Sequence, residues 1–108
     1  FIAQRNKNKY MGLKWEFPGG KVEKGETFEE ALGREIKEEL NIKINILKKI
    51  AKEKFNDSSI NVVIHYYLCS MGNDLIELLE HNQSAWVKKN EFYKYSFVPG
   101  DDKVLSLL

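Results

Sequence analysis

Between Gly20 and Ile42 the chain reads GKVEKGETFEEALGREIKEELNI, and the placement of acids in that run restricts the possible folds more than any other feature. Thr27 followed three residues later by Glu30 is a capping-box start, which predicts a helix beginning near Phe28. At roughly 100° per residue, Phe28, Ala31, Leu32, Ile36 and Leu40 gather on one face. Glu35 and Glu39 project into the middle of that apolar arc and Glu38 onto its edge, while Glu29, Glu30, Arg34 and Lys37 lie on the outer part of the wheel. A helix that needs only solubility keeps its acids outside. Carboxylates at i, i+3 and i+4 repel one another, and burial makes their charged forms more costly still. A divalent cation among them resolves the conflict, because clustered carboxylate oxygens suit a hard ion such as Mg2+ that takes its remaining ligands from water and a substrate phosphate. The plainer alternative, a charged helix with Arg34 paired to Glu30 and Glu38, leaves Glu35 and Glu39 unexplained.

The same segment resembles the Nudix box, G-x5-E-x7-R-E-U-x-E-E-x-G-U with U aliphatic. Gly20, Glu26, Arg34, Glu35, Ile36, Glu38, Glu39 and Ile42 fall on the pattern. Asn41 replaces the last glycine, just beyond the helix, where a left-handed backbone is common and Asn is the next best residue. The resemblance extends over nearly the whole chain. It implies the α+β Nudix fold, a mixed β-sheet sandwiched between α-helices, with residues 1–108 forming one Nudix hydrolase domain. Members usually begin with a strand and turn that precede the segment starting here at Phe1, so an N-terminal strand is expected to be missing, which would expose a sheet edge.

Within that family, Trp15-Glu16-Phe17-Pro18-Gly19-Gly20-Lys21 and Pro99-Gly100-Asp101 look like the MutT group, which hydrolyses nucleoside triphosphates to the monophosphate and pyrophosphate. Several of its members remove oxidised nucleotides such as 8-oxo-dGTP. The resemblance implies that Glu35, Glu38, Glu39 and the carbonyl of Gly19 hold Mg2+, for which Mn2+ substitutes, and that Arg34 orients the carboxylates. Arg5 and Lys21 would meet the phosphates, since a triphosphate needs cations to offset its charge. Glu80, six residues before Trp86, matches an acid outside the box that binds metal or activates water; its plain alternative is a surface loop acid. Either Glu35 or Glu80 would take the proton as water attacks the β-phosphorus in line. Asp101 matches a position that reads the base edge, and stands equally as an N-cap. Phe97 is core by default or flanks the base. His65 and His81 are expected to be structural, since neither has a ligand partner at metal spacing.

Rival readings are another Nudix enzyme, acting on CTP, 5-methyl-dCTP, ADP-ribose or a dinucleoside polyphosphate, and a non-catalytic domain that reads 8-oxoguanine in DNA. Domains of the second kind generally lack the acidic box, which is complete here.

Composition fits a small enzyme. At 108 residues, with 43% apolar content, the chain has room for a single core. A net charge of +1 gives no electrostatic case for a nucleic-acid polymer as partner, and no transmembrane stretch or signal peptide is evident. The lone Cys69 cannot form an internal disulfide, which points to a reducing compartment, the cytoplasm. Oligomeric state is not legible.

Strand and turn signals surround the helix. Phe1–Gln4 reads as the tail of a strand, Leu13–Phe17 as a short extended piece and Pro18-Gly19-Gly20 as a turn. Lys43–Leu47 alternates polar and apolar, less cleanly to Phe55. Asn56 to Ser59 marks a turn into Ile60–Cys69, whose apolar run suits a strand covered on both faces and a buried Cys69. Ala85–Val87 is a further short strand, and Asp101 or Asp102 is expected to cap a last helix through Leu108.

Overall fold

In the computed structural model, which describes residues 1–108, the helix α1 spans Phe28–Leu40. Its start is the predicted capping box: Thr27 Oγ1 accepts from the Glu30 N–H at 3.1 Å and Glu30 accepts from the Thr27 N–H at 2.9 Å. It ends at Asn41, left-handed at φ 54° and ψ 40°, whose N–H donates to Lys37 O. The last carbonyls of a helix lack intrahelical donors, and here a later loop supplies them. Glu77 N–H donates to Leu40 O and Leu79 N–H to Glu39 O, both at 3.0 Å, while Asn41 Nδ2 donates to Glu77 Oε1. That strap brings Glu80 beside the acidic face of α1.

The strands are β1 (Ile2–Gln4), β2 (Trp15–Glu16), β3 (Ile44–Asn56), β4 (Asn61–Met71) and β5 (Gln83–Ala85). One antiparallel sheet has the order β2-β1-β5, and β3 and β4 form a separate antiparallel hairpin. A parallel bridge between Trp15 and Phe97 makes the strand set mixed, with Trp15 N–H donating to Ser96 O and Val98 N–H to Trp15 O. The inner face of α1 packs Ile36 and Leu40 with Ile42, flanked by Leu32, Ile44, Met71 and Ile76. No helix is long and apolar enough to cross a membrane.

Several expectations are corrected. The β4 run is not covered on both faces: only Tyr66 is fully buried, and Val63 and Leu68 are 44% and 41% exposed. A two-stranded hairpin offers a second face that α1 does not reach. Cys69 is accordingly half-buried. His65 is also half-buried, its ring stacked on Phe28 at 3.9 Å and its Nδ1 2.7 Å from Lys49 Nζ, so Phe28 leaves the core face and is 45% exposed. The β5 pairing falls two residues earlier than expected, because Ile2 and Gln4 of β1 register with Ala85 and Gln83. Trp86 then leaves the sheet. The last helix is a 3-10 helix, Asp101–Leu107, entered through Gly100 at φ 103° with no side-chain cap. Asp101 is therefore not its N-cap, and α1 is the α-helical layer by itself.

The left-handed end of α1 yields a stability test. Asn41→Ala should cost about 1 kcal/mol or more, from the left-handed strain and the lost Glu77 bond, while Asn41→Gly should retain most of the stability; urea unfolding of the two variants measures the difference.

Candidate active site

The site grows from α1 and the loop before it. Glu39 and Glu35 turn inward, with side chains 4% and 18% exposed. The loop passes so close that a Cβ on Gly20 would lie 2.2 Å from the Glu35 carboxyl carbon, so any larger residue there would displace the Glu35 carboxylate. Arg34 binds the arrangement together. Its Nε and Nη2 donate to the two Glu26 oxygens at 2.7 and 3.0 Å, its Nη1 to Glu35 at 2.9 Å, and its Nη2 also to Lys21 O. The guanidinium in turn holds Glu26 below the usual carboxylate range. Arg34 thus ties the Glu35 carboxylate to Glu26 and to the loop backbone.

A cleft of about 610 Å3 opens over this face. Arg5, Gly19, Lys21, Glu35, Glu39 and Glu80, all singled out from sequence, line it together. Glu38 does not. Its side chain is 53% exposed and lies 3.4 Å from Arg34, because its position on the edge of the arc lets the guanidinium draw it outward. Lys9 and Glu16, neither assigned from sequence, also line the cleft, as does His81, which was expected to be structural. Glu16 stood in plain view in the Trp15–Lys21 segment, and His81 directly follows Glu80. Their meeting depends on a contact across 65 positions: His81 Nε2 is 2.8 Å from Glu16 Oε2.

Electrostatics single out Glu39. Burial, and then the charges of Glu35, Glu80 and Glu16, raise its pKa to about 8. Its Oε1 is buried without a hydrogen-bond partner. Glu16 behaves differently: burial opposes its ionisation, but hydrogen bonds from His81 and Arg5 outweigh that and hold it below the usual range. The acids line one wall without converging on a point, and no group of three His, Cys, Asp or Glu side chains stands close enough to hold an ion. Mutual repulsion of carboxylates accounts for the separation. The donor set nevertheless suits a hard cation, for its atoms are oxygens and one of them, on Glu39, is buried and unused.

Asp101 and Phe97 lie together, apart from the acidic cleft. Asp101 is 6% exposed; its Oδ2 accepts the Phe17 N–H at 3.0 Å and its Oδ1 accepts the Tyr66 hydroxyl. Burial raises its pKa to about 6 against those two bonds. The Phe17 ring stands 5.9 Å from Phe97. Asp101 and Phe97 are thus neighbours through Phe17.

Comparison with known proteins accords with this geometry. The NUDIX domain model matches residues 1–108. The chain belongs to the Nudix family. The CTP pyrophosphohydrolase of Escherichia coli (strain K12) is 30% identical over 104 residues, 96% of this chain and 77% of that protein. The 8-oxo-dGTP diphosphatase of the same organism is 28% identical over 108 residues, 100% of this chain and 84% of that protein. In structure, a MutT NUDIX hydrolase from Burkholderia pseudomallei superposes with a TM-score of 0.88 at 21% identity, covering 99% of this chain and 86% of the other. This chain is therefore a MutT-like Nudix hydrolase, and hydrolases of this family generally use a divalent metal.

The raised pKa of Glu39 fixes a pH dependence. The folded chain keeps that proton up to about 8, whereas the unfolded chain releases it near 4.5, so the folded state binds more protons in that window and loses stability as pH rises through it. Asp101 adds loss in the same direction from 3.8 to about 6. Thermal melts in chelator should show the fall, and Glu39→Gln should flatten it above the Asp101 range. The same variant should lose activity on the order of a hundredfold, as for removal of a key electrostatic group. Near-normal turnover at saturating metal would sink the role given to Glu39.

Proposed function

We propose that the cleft hydrolyses a nucleoside triphosphate to the monophosphate and pyrophosphate with Mg2+, Mn2+ substituting, and that 8-oxo-dGTP is the main substrate. The observation that carries this reading is the two-sign lining of the cleft: a buried acid with a free oxygen, Glu39, together with Arg5, Lys9 and Lys21. A triphosphate carried with a cation satisfies both signs at once. Mg2+, when bound by Glu35, Glu39 and the Gly19 carbonyl, would supply charge neutralisation and a more acidic water, leaving Glu80 free. Arg34 keeps the Glu35 carboxylate in place. Arg5 and Lys21 receive the phosphates. Glu35 is already engaged by Arg34, so Glu80, exposed on the cleft wall, takes the proton as water attacks the β-phosphorus in line.

Support for the base comes from Asp101 and Phe97. An ionised carboxylate only accepts hydrogen bonds, and two acceptor sites remain beyond those taken by Phe17 and Tyr66. Guanine offers N–H donors at N1 and N2, 8-oxoguanine adds one at N7, and cytosine offers only its amine. The similarity to the Escherichia coli 8-oxo-dGTP diphosphatase agrees with a purine. This reading makes the chain a cytoplasmic sanitiser of the nucleotide pool that keeps oxidised guanine out of DNA. A second reading, hydrolysis of CTP or 5-methyl-dCTP, is favoured by the 30% identity to the CTP pyrophosphohydrolase.

Pyrophosphate release from a nucleotide panel decides between them. The expected result is a higher specificity constant for 8-oxo-dGTP than for dGTP, CTP or 5-methyl-dCTP; a preference for CTP replaces the first reading with the second. Asp101→Asn should lower the 8-oxo-dGTP preference by about tenfold, the value of one charged hydrogen bond. Asp101→Ala is the poorer probe, for it strands the Phe17 N–H and the Tyr66 hydroxyl at a cost of about 1–3 kcal/mol in stability. An unchanged preference in the Asn variant leaves Asp101 as a brace between Phe17 and Tyr66. Glu80→Gln should lower kcat while KM stays within a few-fold, the pattern of a group used in the transition state; unchanged kcat returns Glu80 to an ordinary loop acid.

A further inference from the structure

Two buried polar atoms in the chain have no hydrogen-bond partner, Glu39 Oε1 and His81 Nδ1, and they belong to side chains that almost touch. The His81 Nε2 lies 3.9 Å from Glu39 Oε1 but 2.8 Å from Glu16 Oε2. A carboxylate can only accept, so Nε2 carries the hydrogen, and a single N–H satisfies a single acceptor well. Glu16 takes it. The other Glu16 oxygen accepts from Arg5 Nη1 at 2.8 Å, and Arg5 is anchored in turn through its Nε on Tyr10 O at 2.7 Å. Both oxygens of Glu16 are therefore committed, and the carboxylate cannot rotate away from His81 without breaking a charged bond.

Without Glu16, the nearest acceptor for His81 is the free oxygen of Glu39. A buried donor and a buried acceptor, each unpaired, gain by closing such a gap. The resulting hydrogen bond would occupy the oxygen that a cation needs. We infer that Glu16 is a positioning residue for the cation site: by engaging His81 on one oxygen and Arg5 on the other, it keeps His81 off Glu39. This rests on the reading of Glu39 as a cation ligand. It gives Glu16 a role where it had none, and it explains why a histidine as buried as His81 sits so near a carboxylate without capping it.

The test is a double-variant cycle read by Mn2+ binding to the nucleotide-free protein, followed by electron paramagnetic resonance of the free ion. In Glu16→Gln the one amide oxygen goes to the charged Arg5, the NH2 faces His81, and the displaced His81 turns to Glu39. Mn2+ binding should weaken about tenfold, the size of one hydrogen bond in competition. His81→Phe alone should stay within about threefold of the unaltered chain, and Glu16→Gln combined with His81→Phe should recover to that level, a coupling between contacting residues. Loss of one negative charge alone would weaken binding equally with or without His81. An equally weak double variant therefore overturns the inference, as does unweakened binding in Glu16→Gln. Glu16→Ala, which strands both donors, should show the same His81-dependent loss, and its absence there counts equally against the proposal. If the unaltered chain binds Mn2+ yet releases no pyrophosphate from any nucleotide, the substrate reading fails while the cycle still decides the role of Glu16. If the unaltered chain binds no Mn2+, both fall.

Discussion

Glu39 is a carboxylate placed on the apolar face of the only α-helix, and most of the surrounding architecture can be understood as a response to it. A buried acid is tolerated when it is protonated, paired or given a cation. Here no basic partner is supplied, and neighbouring acids push its proton affinity up. The chain directs its cations elsewhere. Arg34 serves Glu26 and Glu35, and Arg5 serves Glu16. The helix end is braced by the Glu77–Leu79 strap, which delivers a further acid, Glu80, to the same wall. On the proposed reading these features prepare the site for an external positive charge, and they conflict with maximal stability of the bare protein.

The same constraint shapes the approach of the loop before α1. Gly20 lets the Glu35 carboxylate lie against the loop backbone, where a side chain would displace it, and Arg34 ties the loop down through Lys21 O and Glu26. The loop therefore cannot drift from the helix, and Gly19 and Lys21 stay at the cleft. On the opposite side, β2 carries Glu16 beside β1, and the turn into β5 carries His81, held where Asn82 N–H donates to Gln4 O. Strand β1 thus fixes the distance between two residues that would otherwise have no reason to meet.

The buried cluster around Asp101 and the acidic cleft are separate in the fold. Asp101, Phe17, Phe97 and Tyr66 form one cluster through short aromatic and hydrogen-bond contacts, while the acids and lysines line another region. Phe17 joins them, since it lies between Glu16 in the cleft and Asp101 in the cluster. On the proposed reading, such a division assigns the base and the phosphates to different parts of the chain.

What the sequence determined by itself was local. The capping box of α1, its acid-bearing apolar arc and the left-handed Asn41 are set by residues close together in sequence, and helical periodicity with end chemistry is enough to read them, whereas the pairing of Arg34 with Glu26 was not read from sequence. Strands were found but not their edges or cover: the apolar run of β4 could not reveal that one of its faces lacks a partner, and β5 moved because its register is dictated by β1. Tertiary structure decided everything that requires distant segments to meet. It joined His81 to Glu16 across 65 positions and Asp101 to Phe17 across 84, turned Asp101 from a possible helix cap into a buried brace, and left Glu38 outside the cleft that Glu35 and Glu39 enter. Local patterns state which face of an element is apolar, but which foreign side chain arrives against that face is set only when the elements pack.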